Sequence, residues 1–197
     1  MAESMLGLKR SHRCAEVVNA PIESEVTVMG WVQKNRNKGG IIFCDLRDRS
    51  GILQIIFEEE ECGSEVFNKA MKLKQEFCIA VTGLLKKRSG AFNESLETGE
   101  LEVRATGLRI LSESETPPFH IEEDSKTKEE LRLKYRFLDL RRPDLQRNLM
   151  VRSKVATTTR NFLAENGFLE IETPTLIKSS PEGARDYLVP SRVHPGA

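Results

Sequence analysis

Between Gly30 and Gln54 the chain reads GWVQKNRNKGGIIFCDLRDRSGILQ, and no other stretch constrains the fold as much. It is three short strands joined by two glycine-marked turns. The first strand, Glu25 to Gln33, alternates with Val26, Val28 and Val32 on one side and Trp31 on the other. A basic, amide-rich run, Gln33 to Lys38, leads into Gly39-Gly40. The second strand puts Ile42, Cys44 and Leu46 on one face and Ile41, Phe43, Asp45 and Arg47 on the other. On the third, Gln54 has the opposite parity to Leu53, Ile55 and Phe57. A ring, an amide and cations on one sheet face suit unstacked bases, because the ring stacks, the amide reads an edge and the cations hold phosphate. The same residues also allow a plainer arrangement, with Phe43 packed under a helix and the basic run a solvated loop.

Composition narrows the partner classes. The 197 residues are 39% apolar and 30% charged, with a formal net charge of zero. A nucleic-acid partner must therefore be held by local clusters such as Lys34, Arg36 and Lys38, or Lys86-Lys87-Arg88, and not by a global field. The acidic run Glu58 to Glu61 accounts for much of the cancellation. Cys14, Cys44, Cys62 and Cys78 form no CxxC pair and have no ligand spacing with the histidines, which predicts idle thiols in a reducing compartment and no metal. With no secretory signal and no apolar run long enough to span a bilayer, the expected location is cytoplasmic, away from any membrane.

In chain order, residues 1–24 are a lead-in broken at Asn19-Ala20-Pro21. After the third strand, Ser64 to Leu73 carries Val66, Phe67, Ala70, Met71 and Leu73 at helical spacing, with Ser64 as its cap. Gln75 to Lys87 and Leu101 to Leu111 are strand-like around a polar hairpin, Gly90 to Gly99, with bends or bulges at Gly83 and Gly107. Three strands, a helix and two strands is the order of an all-β OB-fold, a five-stranded Greek-key barrel whose second and third strands commonly hold oligonucleotides. Phe43 and Gln54 fall on those strands.

This domain is assigned to residues 1–111. Residues 112–140 form a linker or hinge, acidic through SESETPPFHIEED and then arginine-dense, in which His120 is a solvated surface histidine. From residue 141 to 197 a helix carrying Val151, Val155 and Phe162 stops at Asn166-Gly167 and leads into a strand, Phe168 to Glu172. One helix and one strand cannot bury their own apolar faces, so the expectation is a piece of a larger protein.

GWV, FCDLRDRSGILQ, LRLKYRFLDLRRPD, GFLEIETPTL and SPEGARDYLVPSRVHPG, in this order, resemble bacterial-type aspartyl-tRNA synthetases of class II. The resemblance implies that residues 141–197 are the incomplete start of an α+β class II catalytic domain, with GFLEIETPTL as motif 1. It implies aspartate–tRNA ligation with ATP and Mg2+ in the full-length parent, a homodimer, and tRNA as partner through its anticodon stem-loop. Phe43 matches the residue that stacks on the middle anticodon base; Arg36 and Gln54 match residues making polar contacts to anticodon bases. Asn93 and Glu102 are further candidates. Glu182 matches the mobile loop over the amino-acid site and Pro174 the motif 1 proline at the dimer interface.

The chain departs from the family pattern in having Ala15 where glycine is usual, and in containing no FRxE and no GxGxGxxR motif. The piece is thus expected to be catalytically silent alone, with neither ATP nor Mg2+ bound. Two alternatives are a free-standing OB-fold module for single-stranded nucleic acid, and a paralogue that uses the barrel for a protein partner.

Overall fold

A computed structural model of the chain describes residues 2–90, 92–178, 187 and 189–194. Its elements are β1 (Glu25–Lys38), β2 (Ile41–Arg47), β3 (Ile52–Glu58), α1 (Glu59–Met71), β4 (Cys78–Lys87), β5 (Leu101–Ser112), α2 (Glu129–Lys134), α3 (Arg136–Asp139) and α4 (Pro143–Glu165). They fall into two units, residues 1–120 and 121–197.

In the first unit the five strands close into a barrel in the order β1-β2-β3-β5-β4. The pair β3–β5 is parallel, the others are antiparallel, and β4 closes onto β1. This is the OB-fold expected from the order of elements. The core is what the alternation requires. Val26, Val28, Val32, Ile42, Cys44, Leu46, Leu53, Ile55 and Phe57 all point inward, and Phe67, Ala70 and Leu73 from α1 and its C-terminal turn join them. Each fully buried side chain of this kind contributes roughly 1.5–3 kcal/mol. Burial also pushes the thiols of Cys14 and Cys44 up, so both stay protonated.

Three local features differ from the sequence expectation. The basic run is strand, because β1 continues to Lys38 in register with β2. The helix begins at Glu59, five residues early, and kinks at Gly63 (φ 79°), so that the expected start at Ser64 falls just after the kink. Glu59, Glu60 and Glu61 occupy its first turn, where the helix dipole favours carboxylates. Met71, expected in the core, is exposed.

The expected bulge near Gly83 and Gly107 is present: Thr82 pairs with Gly107 but Gly83 pairs with Ala105, leaving Thr106 extra on β5. A Cβ on Gly83 would overlap the Arg104 carbonyl oxygen and lie 2.8 Å from Ala105 Cα, whereas one on Gly107 would meet nothing nearer than Thr82 Cβ at 3.9 Å. Gly83→Ala should therefore destabilise the barrel by about 1–3 kcal/mol in urea unfolding. Gly107→Ala should change it far less, and equal losses would contradict the assignment of the close approach to Gly83.

The lead-in is tied down. The Glu3 N–H donates to the Ile110 carbonyl at 2.7 Å, and the Glu3 carboxylate accepts from the Ile110 N–H at 2.6 Å and from Lys69 Nζ at 2.9 Å.

In the second unit, α2 and α3 occupy part of the stretch assigned to the hinge. Pro143 takes the first turn of α4, where its missing N–H costs nothing. Gly167 (φ 84°) follows the helix end, with the Phe168 N–H donating back to Leu163 O. The strand expected over Phe168 to Glu172 is not formed, because a strand needs a ladder and no described segment pairs with these residues. Val151, Val155 and Phe162 on α4 are about as exposed as one another, at 57%, 60% and 63%. Among the described residues, no helix is long and apolar enough to cross a membrane.

Candidate nucleic-acid interface

The outer face of β1, β2, β3 and β5 is a grid fixed by strand register. One row of directly paired residues is Arg36, Phe43, Ile56 and Arg104. The next is Lys34, Asp45, Gln54 and Glu102. A bulge in β1 makes the grid possible. Val32 pairs with Leu46 but Lys34 pairs with Asp45, so Gln33 is extra. Unbroken alternation from Val26, Val28 and Val32 would have turned Lys34 and Arg36 into the core. The inserted residue instead brings both beside Phe43 and Asp45, and sends Asn35 inward. The Asn35 amide then donates to the carbonyls of Ala70 (3.0 Å) and Leu73 (3.2 Å) at the C-terminal end of α1, satisfying groups the helix leaves open.

Phe43 is half-buried and belongs neither to the core nor to the partly buried residues packed on it. Phe43 is thus not part of the core packed beneath α1. Arg36 Nη2 donates to both Asp45 oxygens at 2.9 Å. Gln54 Nε2 donates to Glu102 Oε2 at 3.2 Å, and Arg104 Nε lies 3.3 Å from Glu102 Oε1. Arg104 Nη1 also meets Glu58 at 2.8 Å. Glu102 is only 2% exposed. Burial raises its carboxyl above the ordinary range, and Arg104, Gln54 and Arg88 offset only part of that rise.

Two loops border the grid. The β2–β3 turn is built on Asp48, whose carboxylate accepts from Cys14 N–H (2.9 Å), Ser50 N–H (2.7 Å) and Ser50 Oγ (2.6 Å). Burial alone would raise the Asp48 carboxyl, but these bonds outweigh it and hold it below the usual range. The β4–β5 hairpin is anchored by buried Thr98, whose hydroxyl donates to Ile52 O at the start of β3.

The sequence-predicted residues thus separate. Phe43, Arg36, Gln54 and Glu102 share one face. Asn93 stands exposed on the hairpin, its Oδ1 held by Ser95 N–H (3.1 Å) and Ser95 Oγ (2.7 Å). Pro174 is exposed after α4. Glu182 lies outside the described residues. Sequence reading missed the roles of Asp45 and Arg104 as partners of the face residues. Period-two alternation already put Asp45 beside Phe43 and Arg104 on the parity of Glu102, yet parity shows only a shared face, not which charges meet. The face offers a stacking ring, an amide held at one end and two guanidinium groups, each neutralised by a carboxylate. That suits reading a base edge more than gripping phosphate.

Comparisons with known proteins agree in kind. An OB-fold nucleic acid binding domain family matches residues 26–111, and the class II tRNA synthetases (D, K and N) match residues 128–197. An aspartate–tRNA(Asp/Asn) ligase from Lachnoclostridium phytofermentans is 74% identical over 196 residues, covering 100% of this chain and 33% of the relative. An aspartate–tRNA ligase from Agathobacter rectalis is 68% identical with the same coverage. The chain therefore spans about a third of the length of these curated relatives. Among solved structures, asparaginyl-tRNA synthetase from Pyrococcus horikoshii, complexed with asparaginyl-adenylate, superposes with a TM-score of 0.76 at 29% identity, over 89% of this chain and 39% of that one. Aspartyl tRNA synthetase from Entamoeba histolytica does so with a TM-score of 0.79 at 26% identity, over 90% and 42%.

Proposed function

We propose that the chain is part of an aspartate–tRNA ligase of class II, as its similarity to such ligases along its whole length supports, and that its barrel reads the anticodon of an aspartate tRNA. The observation that carries this reading is the register that sets Phe43 between Arg36 and Ile56, one row from Gln54. The middle anticodon base stacks on Phe43, with Arg36 and Gln54 at its edge. Glu102 holds the Gln54 amide nitrogen, which leaves the amide oxygen to accept a base N–H. Asn93 supplies a contact to a neighbouring base, whereas Glu102, also expected from the resemblance to contact a base, is only 2% exposed and acts through the Gln54 amide that it holds.

In the full-length protein the proposed reaction joins aspartate to the AMP part of ATP, releasing pyrophosphate, and then passes the aspartyl group to the terminal ribose of tRNA, releasing AMP. ATP would supply the leaving pyrophosphate, and Mg2+ would neutralise its phosphate charge. The described residues bring together no group of three or more His, Cys, Asp or Glu side chains that could hold a metal ion. The part of this chain in the proposal is recognition. Glu182 is assigned to the loop over the amino-acid site and Pro174 to a homodimer contact. The exposed apolar stripe of α4 supports that second assignment. The proposed place of work is the cytoplasm.

Nuclease footprinting on an aspartate tRNA tests the division of labour. The chain should protect the anticodon loop and leave the acceptor end open, without ATP–pyrophosphate exchange when purified free of host synthetase. Protection at the acceptor end, or exchange by the chain, would contradict it.

A further inference from the structure

Arg36 does not reach out from the sheet alone. Its ladder partner is Phe43, yet its guanidinium crosses to Asp45, which faces Lys34 on one side and Gln54 on the other. The diagonal pairing draws the guanidinium toward the row that holds Gln54. Only Nη2 is engaged, 2.9 Å from each Asp45 oxygen, so the group keeps further donors. The Arg36 side chain is 46% exposed and that of Asp45 21%. Pairs this open to solvent contribute little to stability. What this one changes is where the guanidinium sits and how much free charge it shows.

We propose that Asp45 is a positioning residue for base recognition, holding Arg36 at the Phe43–Gln54 site and cancelling its charge so that it serves base discrimination and not general phosphate attraction. The proposal rests on the anticodon reading above. It has an unusual signature. Asp45→Asn keeps the shape of the side chain and removes its charge, which frees Arg36 to reach phosphates. Affinity for any stem-loop should rise, and the salt dependence should steepen by ~0.7 in log–log slope, the value of one added contact on a single strand. Selectivity should fall at the same time. A purely structural role for Asp45 would weaken all binding together.

The test measures the full chain against an aspartate anticodon stem-loop and the same loop with its middle base changed, at two salt concentrations. Wild type, Asp45→Asn, Arg36→Gln and the double variant are compared. The expected result is a several-fold lower affinity ratio in Asp45→Asn, a steeper salt slope, and no further change in the ratio when Asp45→Asn is added to Arg36→Gln. Asp45→Glu, which keeps the charge one methylene further out, should fall between wild type and Asp45→Asn, and it carries the test if Asp45→Asn does not fold. A wild-type ratio well above one that stays unchanged in Asp45→Asn overturns the proposal alone. So does an equal drop in the ratio in the absence of Arg36. A wild-type ratio of one overturns the anticodon reading and this proposal with it.

Discussion

Phe43→Ala should weaken binding of the chain to an aspartate anticodon stem-loop by roughly five- to 150-fold, because a base stacked on an aromatic ring is worth ~1–3 kcal/mol and no other aromatic ring lies in the Phe43 or Gln54 row of the grid. The same substitution should leave the fold nearly unchanged. Phe43 lies outside the core cluster, so its removal opens no internal cavity of the kind that makes buried phenylalanines costly. Fluorescence anisotropy with a labelled loop, beside urea unfolding of the same preparation, separates the two effects. Affinity lost with stability retained supports a stacking ring. Stability lost in step with affinity would return Phe43 to a packing role. Phe43→Tyr, which keeps the π-face, should bind within a few-fold of wild type.

The second large effect belongs to the other unit and to stability. Asp139 is fully buried, and three arginines converge on it: Arg136 Nη1 at 2.7 Å, Arg132 Nε at 2.9 Å and Arg142 Nη1 at 3.3 Å. Arg142 is itself buried. Removing the carboxylate leaves a buried cation short of a partner, which typically costs ~3–5 kcal/mol. Arg142 keeps Asp144 at 2.8 Å, so the low end applies. Asp139→Ala should thus destabilise the second unit by about 3 kcal/mol, read from the loss of helical circular dichroism on heating, since α2, α3 and α4 supply that unit's helix. The pH dependence follows from the same contacts. Burial alone would raise the Asp139 carboxyl, but hydrogen bonds and charge from Arg132 and Arg142 outweigh it and hold it below the ordinary range. A carboxyl depressed by folding binds its proton more readily in the unfolded chain. Its stabilisation is complete above the unfolded value near ~3.9 and fades as pH falls through the lower folded value. Asp139→Asn should flatten that acid loss, and an unchanged acid profile would contradict the assignment.

How much of this was legible in the sequence depends on whether a pattern is local. Ile42, Cys44 and Leu46 against Phe43 and Asp45 could be read because two strands keep an unbroken period of two, and side-chain direction follows from it. The placement of Arg36 could not. An inserted Gln33 reverses the parity of everything after it, and a bulge has no compositional mark when the residue is an ordinary one. The kink at Gly63 hid the first turn of α1 in an acidic run, where glutamates gave no apolar period to follow. Phe168 to Glu172 has the composition of a strand, yet composition cannot supply a ladder partner. Pairings across strands, Arg36 with Asp45 and Gln54 with Glu102, depend on register, which is a tertiary fact. The family resemblance pointed to Phe43, Arg36 and Gln54; it took the barrel to show that each stands in a position set by a carboxylate or a ladder neighbour.

The central claim is that one face of the barrel recognises a base and does more than attract phosphate. Its most direct test is the affinity of the chain for an aspartate anticodon stem-loop beside one with the middle base changed, at low and moderate salt. The account predicts that salt weakens both while their ratio stays well above one, because a stacked and hydrogen-bonded base keeps its preference when phosphate attraction is screened. Equal affinities that vanish together as salt rises would contradict it.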